Sequence, residues 1–233
     1  MKIENVEKTE KSKEIFTINF DNGTNIKVST TQIADFGLYS GRELTDEEYI
    51  GLKSAIERSS SKARALRILG NRSLSAKDME RRLVSKGESA DTAQETVEWL
   101  VENKMINDSE YAVSIARHYK AKGYGPMRIK DELYKRGIPR EMWESAMNGT
   151  VGGADGDGAN GEKAIGYNAN GDDEYADAAL EFVRKKLKGS KEKSDIQNAA
   201  AALYRRGFGY EDARTAVRKY LESTDGADGM ENE

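Results

Sequence analysis

Few residue types in this chain could do chemistry, and their spacing speaks against most reactions. The 233 residues include no cysteine and a single histidine, His118. Without cysteine there is no disulfide, thiolate nucleophile or thiolate metal site. A hydrolytic triad would have to be assembled around His118 alone, and one histidine cannot make a multi-histidine metal site. That residue lies beside Arg117 and Lys120 near an expected helix end, where an imidazole complements exposed carbonyls. Paired carboxylates occur at Glu47-Glu48 and Asp172-Asp173, both at expected helix starts, where negative charge is favoured for structural reasons. Gly152-Gly153 opens a glycine-rich stretch without the GxxxxGK(S/T) spacing of a phosphate loop. The expectation is a protein with no catalytic residue, no metal and no cofactor.

The cations are the better candidates, as contacts to a partner. Lys86, Arg136 and Arg206 recur at one position of a repeated pattern; they could form a basic stripe, or each could offset the carbonyls of its own helix end. Arg128 and Lys130, with Lys135 further along, fall in one expected helix. The first two sit in its opening turn, where positive charge is unfavourable, so a partner explains them better. Arg81 and Arg82 neighbour Asp78 and Glu80, and solvated ion pairs compete as an explanation. Arg184, Lys185, Lys186 and Lys188 belong to the densest basic run, residues 184–193, with six cations to one acid. Such a run suits phosphate or an acidic protein surface, and its binding would weaken with salt. Tyr124, between Gly123 and Gly125, is expected exposed in a loop as a contact residue. Trp99, Trp143, Tyr111, Tyr134, Tyr175 and Tyr204 are expected in cores and between stacked units.

The elements that must position these residues are read from periodicity. Phe16, Ile18 and Phe20 alternate, Asn22-Gly23 has the chemistry of a two-residue turn, and Ile26 and Val28 continue the alternation, predicting a hairpin at 14–30. Thr45 and Glu48 form a capping box ahead of a helix, with a break or a weak point expected at Ser59-Ser60-Ser61. Beyond it the chain repeats. Leu83 to Gly87, Leu133 to Gly137 and Leu203 to Gly207 align position for position, and Asp108 to Ala112 reappears as Asp172 to Ala176. Helices are predicted at 62–71, 76–86 and 90–103; at 108–122, 126–136 and 140–147; and at 172–188, 193–206 and 210–221. Three units of one pattern indicate a helical array. The fold class is all-α, with tandem three-helix repeats forming an elongated curved array and a small N-terminal β-hairpin extension. The expected divisions are 1–45 (extension), 46–61 (leading helix), 62–106, 107–147 and 172–221 (repeats), 148–171 (flexible glycine-rich linker) and 222–233 (disordered acidic tail).

Charge follows the same divisions. Residues 61–147 carry 17 Lys+Arg against 13 Asp+Glu, and residues 172–221 carry 11 against 9, although the whole chain is at −4. The repeats are mildly basic, which favours an anionic partner without the strong excess of a dedicated nucleic-acid binder. No long apolar run or secretory leader is present, so a cytoplasmic protein without membrane attachment is expected.

These motifs resemble the RecX family. The residues carrying the resemblance are Leu83 to Gly87, Asn107-Asp108-Ser109-Glu110-Tyr111-Ala112, and Gly125-Pro126-Met127-Arg128-Ile129 leading to Leu133 and Gly137. The resemblance covers about 62–147 well and 172–221 adequately. It implies a regulator of the RecA recombinase, not an enzyme, that binds in the groove of the RecA–single-stranded-DNA filament and inhibits its recombination and ATPase activities. Single- or double-stranded DNA is a further implied partner, and the protein is expected to be a monomer. A DNA-binding helical module acting without RecA, or a general helical scaffold for another protein, are the alternatives.

Overall fold

A computed structural model describes residues 1–9, 14–149 and 171–228 of the chain. The described residues divide into two compact units: Met1–Arg72 with Met79–Met105, and Ser73–Asp78 with the chain from Ile106 onward.

In the first unit, β1 (Ile3–Lys8), β2 (Ile15–Phe20) and β3 (Asn25–Ser29) form an antiparallel sheet in the order β1-β2-β3. The expected hairpin is its β2–β3 half, with Phe16 opposite Val28 and Ile18 opposite Ile26. The turn differs from expectation. Phe20 N–H donates to the Thr24 carbonyl and Gly23 N–H to the Phe20 carbonyl, enclosing three residues rather than two. Only Gly23 is left-handed (φ 78°), because Asn22 instead accepts the Thr24 N–H on its side chain. The third strand, β1, has no apolar alternation to reveal it: it is largely polar and exposed and contributes only Ile3 as a fully buried side chain. A short helix α1 (Thr30–Phe36), capped by Ser29 and Gln32, was also not expected. Ile3, Ile18, Phe20, Val28, Leu38, Leu44 and Leu52 form the core, so the sheet is covered rather than isolated.

Helix α2 (Asp46–Leu69) starts on the Thr45–Glu48 capping box as predicted. It does not break at Ser59-Ser60-Ser61. Ser61 is fully buried and accepts a hydrogen bond from Thr96 of α4 at 2.9 Å. A small polar residue is placed there because α4 packs against it, so the triplet marks a helix contact, not a helix end. α3 (Ala76–Ser85) and α4 (Ala90–Glu102) complete the first triplet.

The second unit contains α5 (Asp108–Ala121), α6 (Pro126–Lys135), a 3-10 turn at Arg140–Met142 leading into α7 (Trp143–Met147), then α8 (Gly171–Leu187), α9 (Lys193–Arg205) and α10 (Tyr210–Asp228). Asn107 caps α5 by accepting the Ser109 and Glu110 N–H groups, and Pro126 stands in the first turn of α6. Helix α10 runs seven residues beyond its expected end at 221. The Ser223 and Thr224 hydroxyls bond back to the Tyr220 and Leu221 carbonyls and leave the helix unbroken. The linker expected at 148–171 lies almost wholly outside the described residues, as does the tail from 229. One apolar core joins both triplets of this unit, from Ile129, Leu133 and Ile138 to Ala179, Val183, Leu203 and Phe208.

The two middle helices meet through backbone. Gly125 N–H donates to the Arg206 carbonyl and Met127 N–H to the Gly207 carbonyl, both at 2.9 Å. A Cβ on Gly125 would stand 2.5 Å from the Gly207 carbonyl and the Phe208 nitrogen, and one on Gly207 would strike the Arg128 backbone. Gly87 occupies the equivalent repeat position with a similar φ of 94°, yet nothing lies within 4 Å of its missing Cβ. Gly87→Ala should therefore cost only the left-handed strain, about 1–2 kcal/mol. Gly207→Ala adds a backbone collision and should cost at least about 3 kcal/mol. Thermal melts of the two variants measure the difference; equal losses would mean that the close approach is absent in solution.

Candidate functional site: a cationic junction between repeats

The junction is built on the carbonyl of the basic residue in the Leu–x–x–basic–Gly pattern. A helix closed by left-handed glycine leaves C-terminal carbonyls without partners in their own helix. In the second unit two such carbonyls are taken by the start of another middle helix: Arg206 by the Gly125 N–H, and Arg136 by the hydroxyl of Ser75 just before α3. Ser75 is fully buried and also accepts the Asp78 N–H, so one hydroxyl serves both the Asp78 backbone and the end of α6. Asp108 strengthens the same joint by accepting the Ala76 N–H at 2.8 Å. Burial raises its carboxyl above the ordinary range, the Ala76 N–H works against that, and Asp78 adds to the rise.

The three equivalent cations have different surroundings. Arg206 reaches the carbonyls of Lys122 and Gly123, both at 3.2 Å, so it closes the end of α5 rather than of its own helix. Its guanidinium lies 4.6 Å from the Phe182 ring centre and 5.8 Å from that of Tyr124. Arg136 turns back on its own helix, bonding the Glu132 carbonyl and carboxylate. Lys86 is exposed.

Glu132, which the sequence reading passed over, organises the rest. It is buried and binds Arg128 at 3.4 Å, Lys135 at 3.2 Å, and Arg136. Burial pushes its carboxyl up, but hydrogen bonds from Arg136, Lys135 and Tyr119 outweigh this and hold it at about 2. Three of the expected partner contacts thus share one internal anion. The unfavourable placement of Arg128 in a first helical turn has an explanation inside the fold, four residues from its carboxylate. The signal was present as the spacing 128, 132, 135, 136.

Tyr124 is half-buried, not a free loop residue. Its ring leans on Tyr119 at 5.5 Å, with Arg128 at 5.9 Å. Tyr134 and Tyr204, expected in packing, are exposed. Each follows a buried leucine, Leu133 or Leu203, and one helical step turns it about 100° away from the core. Tyr175 is buried, and Tyr111, Trp99 and Trp143 are half-buried, as packing requires. Lys130 is exposed and lines a groove with Arg140 and Trp143. Arg184, Lys185, Lys186 and Lys188 are all exposed around the end of α8, and Lys185 pairs with Glu181 at 2.6 Å. Arg81 is exposed and Arg82 half-buried on α3. His118 is exposed in the last turn of α5, edge-on to Tyr119. Among the described residues, no three His, Cys, Asp or Glu side chains come together where they could hold a metal ion. No helix there is long and apolar enough to cross a membrane.

Replacing Glu132 tests the hub. Its folded carboxyl ionises at about 2, below the ordinary value of about 4.3, so its contribution is complete above about pH 5 and fades as pH falls toward 2. Glu132→Gln should lose on the order of 2 kcal/mol at pH 7, with melting temperatures converging on wild type as the buffer is acidified. A gap independent of pH would contradict the charge-based account.

Comparison with known proteins agrees with this architecture. A family model described as "RecX, second three-helix domain" matches residues 107–147, the triplet that carries the hub. "Regulatory protein RecX" of Xanthomonas axonopodis pv. citri is 28% identical over 162 residues, covering 68% of this chain and 86% of that protein. Its counterpart in Caldanaerobacter subterraneus subsp. tengcongensis is 32% identical over 111 residues, covering 48% and 56%. A crystal structure of regulatory protein RecX superposes with a TM-score of 0.68 at 18% identity, covering 95% of this chain and 98% of that one. RecX from Lactobacillus salivarius gives 0.57 at 22% identity, covering 71% and 97%. At those identities the structures speak for the fold alone, and the sequence relatives for the kind of protein. The matched second triplet and the relatives named regulatory protein RecX together support a likeness of this chain to the RecX family of regulatory proteins.

Proposed function

We propose that this protein regulates the RecA recombinase by binding in the groove of the RecA–single-stranded-DNA filament, and that binding inhibits recombination and ATP hydrolysis. It acts as a binding protein without a cofactor, as a cytoplasmic monomer. The observation that carries this reading is the likeness, over 68% of the chain, to a protein named for regulation as RecX. The fold supports it: triplets held by backbone bonds keep outward side chains at fixed intervals, and a polymeric partner offers its own contacts at fixed intervals. Weak contacts multiplied over several subunits then give useful affinity.

A second reading, a DNA-binding module acting without RecA, is favoured by the exposed run from Arg184 to Lys188. These side chains are available for phosphate, and their binding would fall steeply with salt.

Titrating the protein into RecA's single-stranded-DNA-dependent ATPase tests the first reading. A stoichiometric excess should suppress hydrolysis several-fold, and unchanged hydrolysis would refute it. In mobility shifts without RecA, Lys185→Glu/Lys186→Glu/Lys188→Glu separates the readings. If DNA contact is secondary, these substitutions weaken naked-DNA binding and leave most of the ATPase suppression intact.

A further inference from the structure

Among the described residues of the second unit, four large apolar side chains are strongly exposed. Met127 is 61% exposed, Tyr134 66%, Tyr204 44% and Tyr210 64%. Met127 and Tyr134 are seven residues apart, two turns of α6, and so share its outer face. The Met127 N–H bonds the Gly207 carbonyl, and the Gly207 N–H bonds the Tyr204 carbonyl, both at 2.9 Å. Tyr204 therefore ends α9 beside the start of α6, and Tyr210 opens α10 three residues past Gly207. The backbone path from the end of α6 through the junction to the start of α10 thus carries all four, and we treat them as one strip. Exposed apolar side chains scattered singly need no explanation, but a contiguous patch of them marks an interaction surface.

We propose that this strip is a protein-docking surface whose occupant is a repeating protein lattice carrying apolar sockets edged by carboxylates. The inference rests on the RecA reading above, and the occupant there is the filament. Three properties select this partner. Tyr134 and Tyr204 occupy the same position in consecutive repeats, and the Gly125–Gly207 interlock fixes the interval between them, which suits a partner that repeats. Tyrosine and methionine with a charged edge have the composition of protein interfaces, where rigid aromatic area supplies most of the affinity. Among the described residues of α6, α9 and α10, seven exposed cations, Lys130, Lys135 and Arg205 among them, outnumber the four exposed acids Asp131, Asp195, Glu211 and Glu222, which favours an acidic complementary surface. Nucleic acid fits less well, since a methionine offers no ring for a base to stack on.

The test uses the full chain and the variant Met127→Ala/Tyr134→Ala/Tyr204→Ala, with the single variant Tyr134→Glu as a smaller perturbation. Each is co-sedimented with preformed RecA–single-stranded-DNA filaments, assayed for binding to naked DNA, and melted. The expected result is at least about 10-fold weaker filament binding, unchanged naked-DNA binding and a melting temperature close to wild type. Filament binding equal to wild type in both variants overturns the surface assignment and leaves the RecA reading standing. A wild-type protein that does not sediment with filaments overturns both. Parallel loss of naked-DNA binding assigns the strip to nucleic acid and overturns the protein partner.

Discussion

Helix ends carry backbone groups that their own helix cannot satisfy, and this fold depends on one helix's surplus meeting another's. The C-terminal carbonyls of α6 and α9 stay available because a left-handed glycine turns the chain away at Gly137 and Gly207. The opposite surplus, the N–H groups at a helix start, is presented by Gly125 and Met127, and Ser75 substitutes a hydroxyl for it. Each bond is worth only about 1 kcal/mol net. Left unmade in a buried joint, each group would cost more than that, which makes the geometry unforgiving. Two glycines face one another across the α6–α9 junction because any side chain there would hold the backbones apart.

Electrostatics follows from the same joint. Bringing the end of one basic helix against the start of another concentrates guanidinium groups, and the fold answers with one buried carboxylate and two tyrosine rings. Glu132 neutralises Arg128, Lys135 and Arg136 from inside, while Tyr119 and Tyr124 give the guanidinium groups of Arg128, Arg136 and Arg206 ring faces to lie against. Charges that look available in a linear sequence are in this way largely spent within the protein. Lys130 and the run at the end of α8 are among those that face outward, and the apolar strip lies beside the former.

A surface of this kind suits a regulator better than a catalyst. Catalysis needs groups that converge on one point, whereas the exposed tyrosines, methionine and lysines lie along helix faces at intervals set by the repeat. The likeness to proteins named regulatory protein RecX and the geometry thus point the same way, to a regulatory protein.

The sequence by itself determined the helical triplets, their boundaries to within a residue or two for most helices, the Thr45–Glu48 cap, Pro126 at a helix start and the left-handed glycines. These depend on local spacing and local backbone preference, which a linear chain displays. Tertiary structure alone decided that α2 passes unbroken through Ser61, that β1 completes the sheet, that Tyr134 and Tyr204 face outward, and that Arg128, Arg136 and Arg206 serve the fold. Each of these turns on what stands opposite in space: Thr96 against Ser61, β2 against β1, Glu132 and the end of α5 against the arginines. The one missed feature that spacing could have revealed is Glu132, because its partners lie within one helical turn of it.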